Sequence, residues 1–255
     1  MTINNPGFKY VDTQTLPQDL YYEKWGFWGT IIWAVVIFAV RAGTNLLTIQ
    51  LKYGGISNEI IYRVINDNNL IFSLFFVNLV LVAAALCGVI KLKKNTNIKE
   101  YLAINKINPR QILFWGLVAF LFIAAEPLKT YLLGIHHAVQ YQFYTNMYNS
   151  TSQPWLFFFI LVITGPLIEE LMFRGFLFSG FASSFLRPAG AIIVTALLWA
   201  GLHYFSGGLI QMFYMIIPGL AAGIARYRTN SIFTPIMMHS LVNLGEAVKI
   251  AYFAA

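Results

Sequence analysis

Apolar residues run through this chain in long blocks separated by short polar or basic connections. A helix needs about 20 mostly apolar residues to cross a hydrocarbon core, and seven blocks approach that length. The first covers residues 25–40, with Trp25, Trp28 and Trp33 near its start, where an interfacial aromatic belt lies, and Arg41 closing it. The second, 70–90, is the cleanest. The third starts near Gln111 and ends at Ala125 or, through Glu126 and Pro127, at Ile135. The others are 155–181, 188–204, 209–225 and 232–251. Residues 42–69, with Gly54, Gly55 and an NDNN run, read as a connecting segment with room for one short amphipathic helix. The pattern predicts an all-α fold, a polytopic membrane bundle of about seven, at most eight, transmembrane helices. Residues 1–150 supply N-terminal helices and a basic loop, residues 151–255 a core, and the two form one integrated membrane domain.

Composition agrees with that reading: 58% of the 255 residues are hydrophobic and 11% charged, an excess that a soluble domain of this size does not need. The net charge of +7 sits between the apolar blocks and forms no dense stripe with interleaved aromatics, so nucleic acid is not an expected partner. The lipid bilayer is. Residues 91–110 carry Lys91, Lys93, Lys94, Lys99, Lys106 and Arg110 against Glu100 alone. The positive-inside rule makes this loop cytoplasmic. Arg187 and the Arg226/Arg228 pair then fall on the same side, and a cytoplasmic N-terminus in the cell membrane is the consistent orientation. Tyr101, Leu102, Ile104 and Ile107 suit either an ordinary basic loop or an apolar face lying on the membrane surface. The first 24 residues do not resemble a cleaved signal peptide, so the first helix is expected to stay as an anchor. A single cysteine, Cys87, excludes an intrachain disulfide.

Against this background the stretch 155–181 stands out, because Glu169, Glu170 and Arg174 lie near its middle. Ionised groups at that depth cost roughly 2.5 kcal/mol or more and face a protein interior or a water-filled cavity. Glu170 and Arg174 are four apart, so they share a helix face and can pair, while Glu169 is turned about 100 degrees away. Pro166 removes a backbone hydrogen bond nearby and is expected to kink the helix and widen a cavity. The fifth block brings Trp199 and His203, and the seventh His239 and Asn243, each pair again four apart. Glu126 reads as an interfacial or capping acid near a helix end, and the adjacent His136 and His137 as loop residues.

Two chemistries suit this set. A glutamate in a low-dielectric pocket can take a proton from water, helped by His203, while His239 and Asn243 donate to the oxyanion of a tetrahedral intermediate. Alternatively Glu169, His203 and His239 bind Zn2+ and leave a fourth position for water. Both lead to hydrolysis of an acyl bond. HExxH, GxSG, GxGD and glycine-rich phosphate-loop patterns are missing from the chain.

These residues resemble a known family. Glu169-Glu170-Leu-Met-Phe-Arg174 is similar to its EExxxR motif, Trp199-Ala-Gly-Leu-His203 to its FxxxH motif, and His239-Ser-Leu-Val-Asn243 to its HxxxN motif. The family is the CPBP group of membrane-embedded proteases, named for CAAX proteases and bacteriocin-processing enzymes and also called Abi. The resemblance covers roughly residues 150–250 and departs from the pattern at Trp199, where the family has phenylalanine. It implies that Glu169 activates water with help from His203, that Glu170 and Arg174 support the site, and that His239 and Asn243 bind the oxyanion. The family is commonly labelled a metalloprotease, and a metal-independent glutamate mechanism has also been proposed for it.

The expected function is that of an intramembrane endopeptidase acting on a membrane-associated peptide or protein. By resemblance its substrates would be prenylated CAAX tails, bacteriocin or pheromone precursors, or regulatory membrane proteins, with peptide maturation or regulation preferred. The alternative is a non-catalytic bacteriocin-immunity or membrane partner protein on the same fold. A proton-coupled transporter would call for an internal repeat, and none is visible.

Overall fold

The computed structural model of the protein describes residues 23–133 and 139–254. Every regular element among them is helical: α1 (Phe27–Tyr53), α2 (Asn58–Ile65), α3 (Asn68–Leu92), α4 (Ile98–Tyr101), α5 (Pro109–Leu133), α6 (Val139–Ser150), α7 (Pro154–Ala182), α8 (Arg187–Leu202), α9 (Tyr204–Thr229) and α10 (Phe233–Ala254). The protein is an all-α membrane bundle. Among the described residues, α1, α3, α5, α7 and α9 are long and apolar enough to cross a bilayer. The spans expected at 188–204 and 232–251 are helices outside that class. α8 has only 16 residues, and α10 interrupts its apolar surface with His239, Asn243, Glu246 and Lys249.

α7 is the central element. Half of its most apolar window is buried inside the protein, against 33% for α3 and 11% for α5. A helix shielded from lipid on most sides is where intramembrane charge can be kept. Its two ends enter two clusters. Phe176, Leu177 and Phe181 pack with Leu86 and Ile90 of α3 and with Tyr101 and Leu102, while Phe157 and Ile160 pack with Ile71, Phe72, Met147 and Ile250. The many exposed large apolar side chains, such as Leu51, Leu121 and Phe213, are what a lipid-facing surface presents.

Three expectations need correction. The first helix does not close at Arg41 but continues unbroken to Tyr53. Its polar residues are accommodated locally, since the hydroxyls of Thr44 and Thr48 bond to the carbonyls of Val40 and Thr44 at 2.9 and 2.8 Å. Gly54, at φ +78°, ends it. In α5 the chain passes Pro127 and stays helical to Leu133, so Glu126 lies within a helix rather than capping its end. Finally, neither reading of the basic loop, ordinary loop or membrane-surface face, foresees that its residues 101–103 are packed into the bundle. Tyr101, Leu102 and Ala103 are buried, and the loop is tied into the bundle by Ser179 Oγ to the Tyr101 carbonyl at 2.5 Å and by Ile232 N–H to the Ala103 carbonyl at 2.9 Å. A side chain 78 positions away and a backbone N–H 129 positions away thus claim backbone groups that a surface loop would have given to water. His136 and His137 lie outside the described residues.

The basic connections collect at one end. Lys93 pairs with Glu23 at 3.0 Å, Trp25 Nε1 bonds to the Val89 carbonyl, Ser183 Oγ to the Trp25 carbonyl, and Asn105 to the Asn230 carbonyl. At this end α1 and α7 touch closely at Gly180, where an added Cβ would stand 2.9 Å from Thr30 Cβ. Small residues permit such approaches between membrane helices. Gly180→Ala is therefore expected to cost about 1–3 kcal/mol, read as a lower Tm of the purified protein in detergent.

Lys24 gives a pH-dependent counterpart. Burial first, and the neighbouring Arg226 second, lower its ammonium to about 8 from 10.5, with Glu100 offsetting part of this. A cation whose folded-state value is depressed destabilises the native state fully below the lower value, and the penalty fades as pH rises to the higher one. Lys24→Met should raise Tm by roughly a few degrees at pH 7, and the gain should vanish by pH 10.5. Melting curves at the two pH values decide it.

Candidate active site

Two turns in α7 are wound as π-helix, Ile160–Thr164 and Leu171–Leu177, and they bracket the α-helical Gly165–Glu170. Each frees a carbonyl. Gly165 N–H reaches back five residues to Ile160, and the next residue, Pro166, has no N–H, so the Leu161 carbonyl loses its helical donor. Asn243 on α10 supplies one, with Nδ2 at 2.9 Å. In the same way Phe178 N–H goes to Phe173, which releases the Arg174 carbonyl. Arg226 on α9 occupies it through Nε at 3.0 Å. Pro166 thus leaves a hydrogen-bond vacancy that Asn243 fills.

Glu170 and Arg174 pair as their spacing predicts, Nη1 to Oε1 at 3.0 Å, and both are almost fully buried. His239 Nδ1 lies 2.9 Å from the same oxygen. The second guanidinium nitrogen, Nη2, donates to the Gly219 carbonyl at 3.0 Å, and the Arg174 guanidinium stacks 4.9 Å from the Trp199 ring. A buried charge with these partners is more stable than a lone one, and Glu170 Oε2 and Arg174 Nε are left without a hydrogen-bond partner among the described residues. Glu169 points elsewhere and is half-buried, with its Oε2 accepting from Trp199 Nε1 at 2.6 Å.

His203 forms the junction between α8 and α9, and its Nδ1 lies 2.9 Å from the Trp199 carbonyl. A carbonyl only accepts, so Nδ1 carries the proton and the neutral ring has its lone pair on Nε2. His239, which gives Nδ1–H to Glu170, has the same polarity. Trp199 spaces the two rings, with centroids at 4.4 Å from His203 and 5.6 Å from His239. At 1.5 Å per residue α8 is about 24 Å long, short of the roughly 30 Å hydrocarbon thickness. Its last turn therefore need not reach the far surface, and His203 and His239 can meet one another.

Glu169, Glu170, Arg174, Trp199, His203, His239 and Asn243 all line one cavity of about 730 Å³. The cavity extends along α10 to Glu246 and Lys249, and Glu126 and Tyr214 also face it, 3.4 Å apart. Among the described residues no three His, Cys, Asp or Glu side chains converge as a metal-binding group.

The family model described as type II CAAX prenyl endopeptidase Rce1-like matches this chain over residues 151–245. That stretch holds α7 to most of α10, with all three motifs. Residues 151–245 match the Rce1-like family. An uncharacterised 24.3 kDa protein of Escherichia coli is 30% identical over 101 residues, which is 38% of this chain and 46% of that protein. The chain thus spans less than half the length of this relative. No solved structure matches.

Several groups around the Rce1-like segment escape sequence reasoning. Arg41, in the middle of α1, stands within electrostatic range of Glu169, and the signal for it was an arginine followed by more apolar sequence rather than by a turn. Arg226, read as a topology signal, is 2% exposed and holds α7 from beneath. Glu126 and Tyr214 reach the cavity through tertiary packing alone.

Removing Arg174 would strand Glu170 with one partner fewer in a dry interior. Arg174→Met should cost about 3–5 kcal/mol, seen as a large fall in Tm or in the yield of folded protein from membranes. Arg174→Lys should lose less.

Proposed function

We propose that the protein is an intramembrane endopeptidase that hydrolyses a peptide bond of a membrane-associated peptide or protein with water activated by Glu169. The observation that carries the reading is the convergence of the Glu169, His203, His239 and Asn243 side chains from three helices on one cavity. The match to the Rce1-like family over the same residues supports it.

The chemistry follows from the hydrogen bonds. Glu169, half-buried, takes one proton from a cavity water as that water attacks the substrate carbonyl carbon, and His203 Nε2 accepts a hydrogen bond from the second hydrogen, which stays on the oxygen. The carbonyl π pair becomes an oxyanion. Asn243 gives one amide hydrogen to Leu161 and directs the other at this oxygen. His239 donates from Nε2 when its ring carries both protons, with Nδ1–H still on Glu170. Collapse of the intermediate breaks the C–N bond, and Glu169 returns its proton to the leaving amine. Glu170 and Arg174 touch no reacting atom in this scheme and hold His239 in place. No step in this scheme passes through a metal.

In this reading the end of the bundle carrying the basic connections faces the cytoplasm. The cavity lies between apolar walls, which suits a substrate that arrives through the bilayer.

The test compares membrane and secreted peptides from cells expressing the wild-type protein or Glu169→Ala at matched levels. Peptides that vanish only in the variant identify the substrate and its cut. Matching profiles with a surviving cellular phenotype would instead favour the non-catalytic partner. With the substrate in hand, turnover by the purified protein should withstand prolonged chelation, and loss restored by Zn2+ would overturn the carboxylate-only scheme.

A further inference from the structure

At the position where the FxxxH motif has phenylalanine, this chain has Trp199. A phenyl ring offers only a wall. An indole adds an N–H, a group that donates and never accepts and that needs a partner once buried. Trp199 is 5% exposed, and its ring is wedged among Arg174, His203 and His239. Its Nε1 donates to Glu169 Oε2 at 2.6 Å.

This contact bears on the direction of the base. A glutamate side chain has three rotatable bonds, and in a cavity of this size its carboxylate could turn either oxygen toward water or toward the α7 backbone. Holding a reacting group near its productive geometry is worth a substantial part of a catalytic barrier. We propose that Trp199 is a positioning residue whose indole N–H pins Oε2 of Glu169, so that Oε1 is the oxygen that receives the proton of the attacking water. The proposal rests on the reading of Glu169 as the base. The indole keeps its own proton throughout and touches no substrate atom. Its ring still serves as the wall between the two histidines, and the N–H is the added function.

Two replacements separate wall from donor. Trp199→Phe keeps an aromatic ring and removes the N–H along with some volume. Benzothienylalanine placed at Trp199 by site-specific incorporation keeps the bicyclic shape and replaces N–H by sulfur. Turnover of the peptide found by the Glu169→Ala comparison should fall about tenfold in kcat for both, with KM within about twofold. A structural readout needs no substrate. In protein labelled with 15N-tryptophan, the Trp199 indole signal is the one of six that disappears in Trp199→Phe, and in otherwise wild-type protein it should move clearly in Glu169→Ala.

Wild-type kcat in the benzothienylalanine protein, or an indole signal indifferent to Glu169→Ala, overturns the positioning role. If Glu169→Ala is inactive while the benzothienylalanine protein turns over normally, only this proposal fails and the base assignment stands. If Glu169→Ala itself retains turnover, both fall, and the indole signal still reports whether the hydrogen bond exists.

Discussion

The buried carboxylate of Glu170 is the constraint to which the rest of the site answers. With 1% of its surface exposed it cannot use water to carry its charge, so protein groups must. Arg174 satisfies it from one turn along the same helix, and His239 from α10, both on Oε1. Arg174 must itself be held, which draws in the Gly219 carbonyl of α9 and the face of Trp199 on α8. One ion thereby links four helices. Glu170 and Arg174 come from the same helix, so their pairing is largely local, whereas His239 and Trp199 are in place only when the bundle has closed.

A second link comes from the irregular winding of α7. Two π turns leave the carbonyls of Leu161 and Arg174 without helical donors, and side chains from α10 and α9 fill them. In hydrocarbon an unfilled carbonyl would cost several kcal/mol, so the vacancies act as sockets. Asn243 is held by one of them and faces the cavity; Arg226 takes the other and also reaches Ser179, further along α7, and Asn230. Pro166 matters here because it supplies no N–H, and Gly165 because its N–H is shifted to Ile160.

What could be read from the sequence follows the range of the forces involved. Four-residue spacing places Glu170 with Arg174, Trp199 with His203 and His239 with Asn243, because a helix fixes such neighbours without reference to anything else. Long apolar runs announce α3, α7 and the bundle as a whole. The charged interior of α1 was misread because Arg41 looks like a stop, and only the packing against α7 shows why an arginine is tolerated where Glu169 lies within range. The burial of Tyr101 and Leu102 inside the bundle escapes the sequence for a related reason. Apolar residues in a basic loop signal burial of some kind, but which surface buries them, lipid or Phe176 and Ser179, depends on contacts more than 70 positions away. The indole donor at Trp199 was visible as a residue and invisible as a bond.

Glu169 and Glu170 show how one helix gives two adjacent and chemically identical side chains opposite tasks. The 100-degree step between them sends one into the packed interior and the other to the cavity wall. Glu170 meets a guanidinium and an imidazole on a single oxygen and is almost fully buried. Glu169 keeps access to the cavity and receives a neutral donor, the Trp199 N–H, on Oε2. A neutral donor orients a carboxylate while pulling on its electrons far less than a guanidinium would. The difference in partner therefore leaves one carboxylate on the cavity wall with a single neutral donor and ties the other into a frame that links four helices.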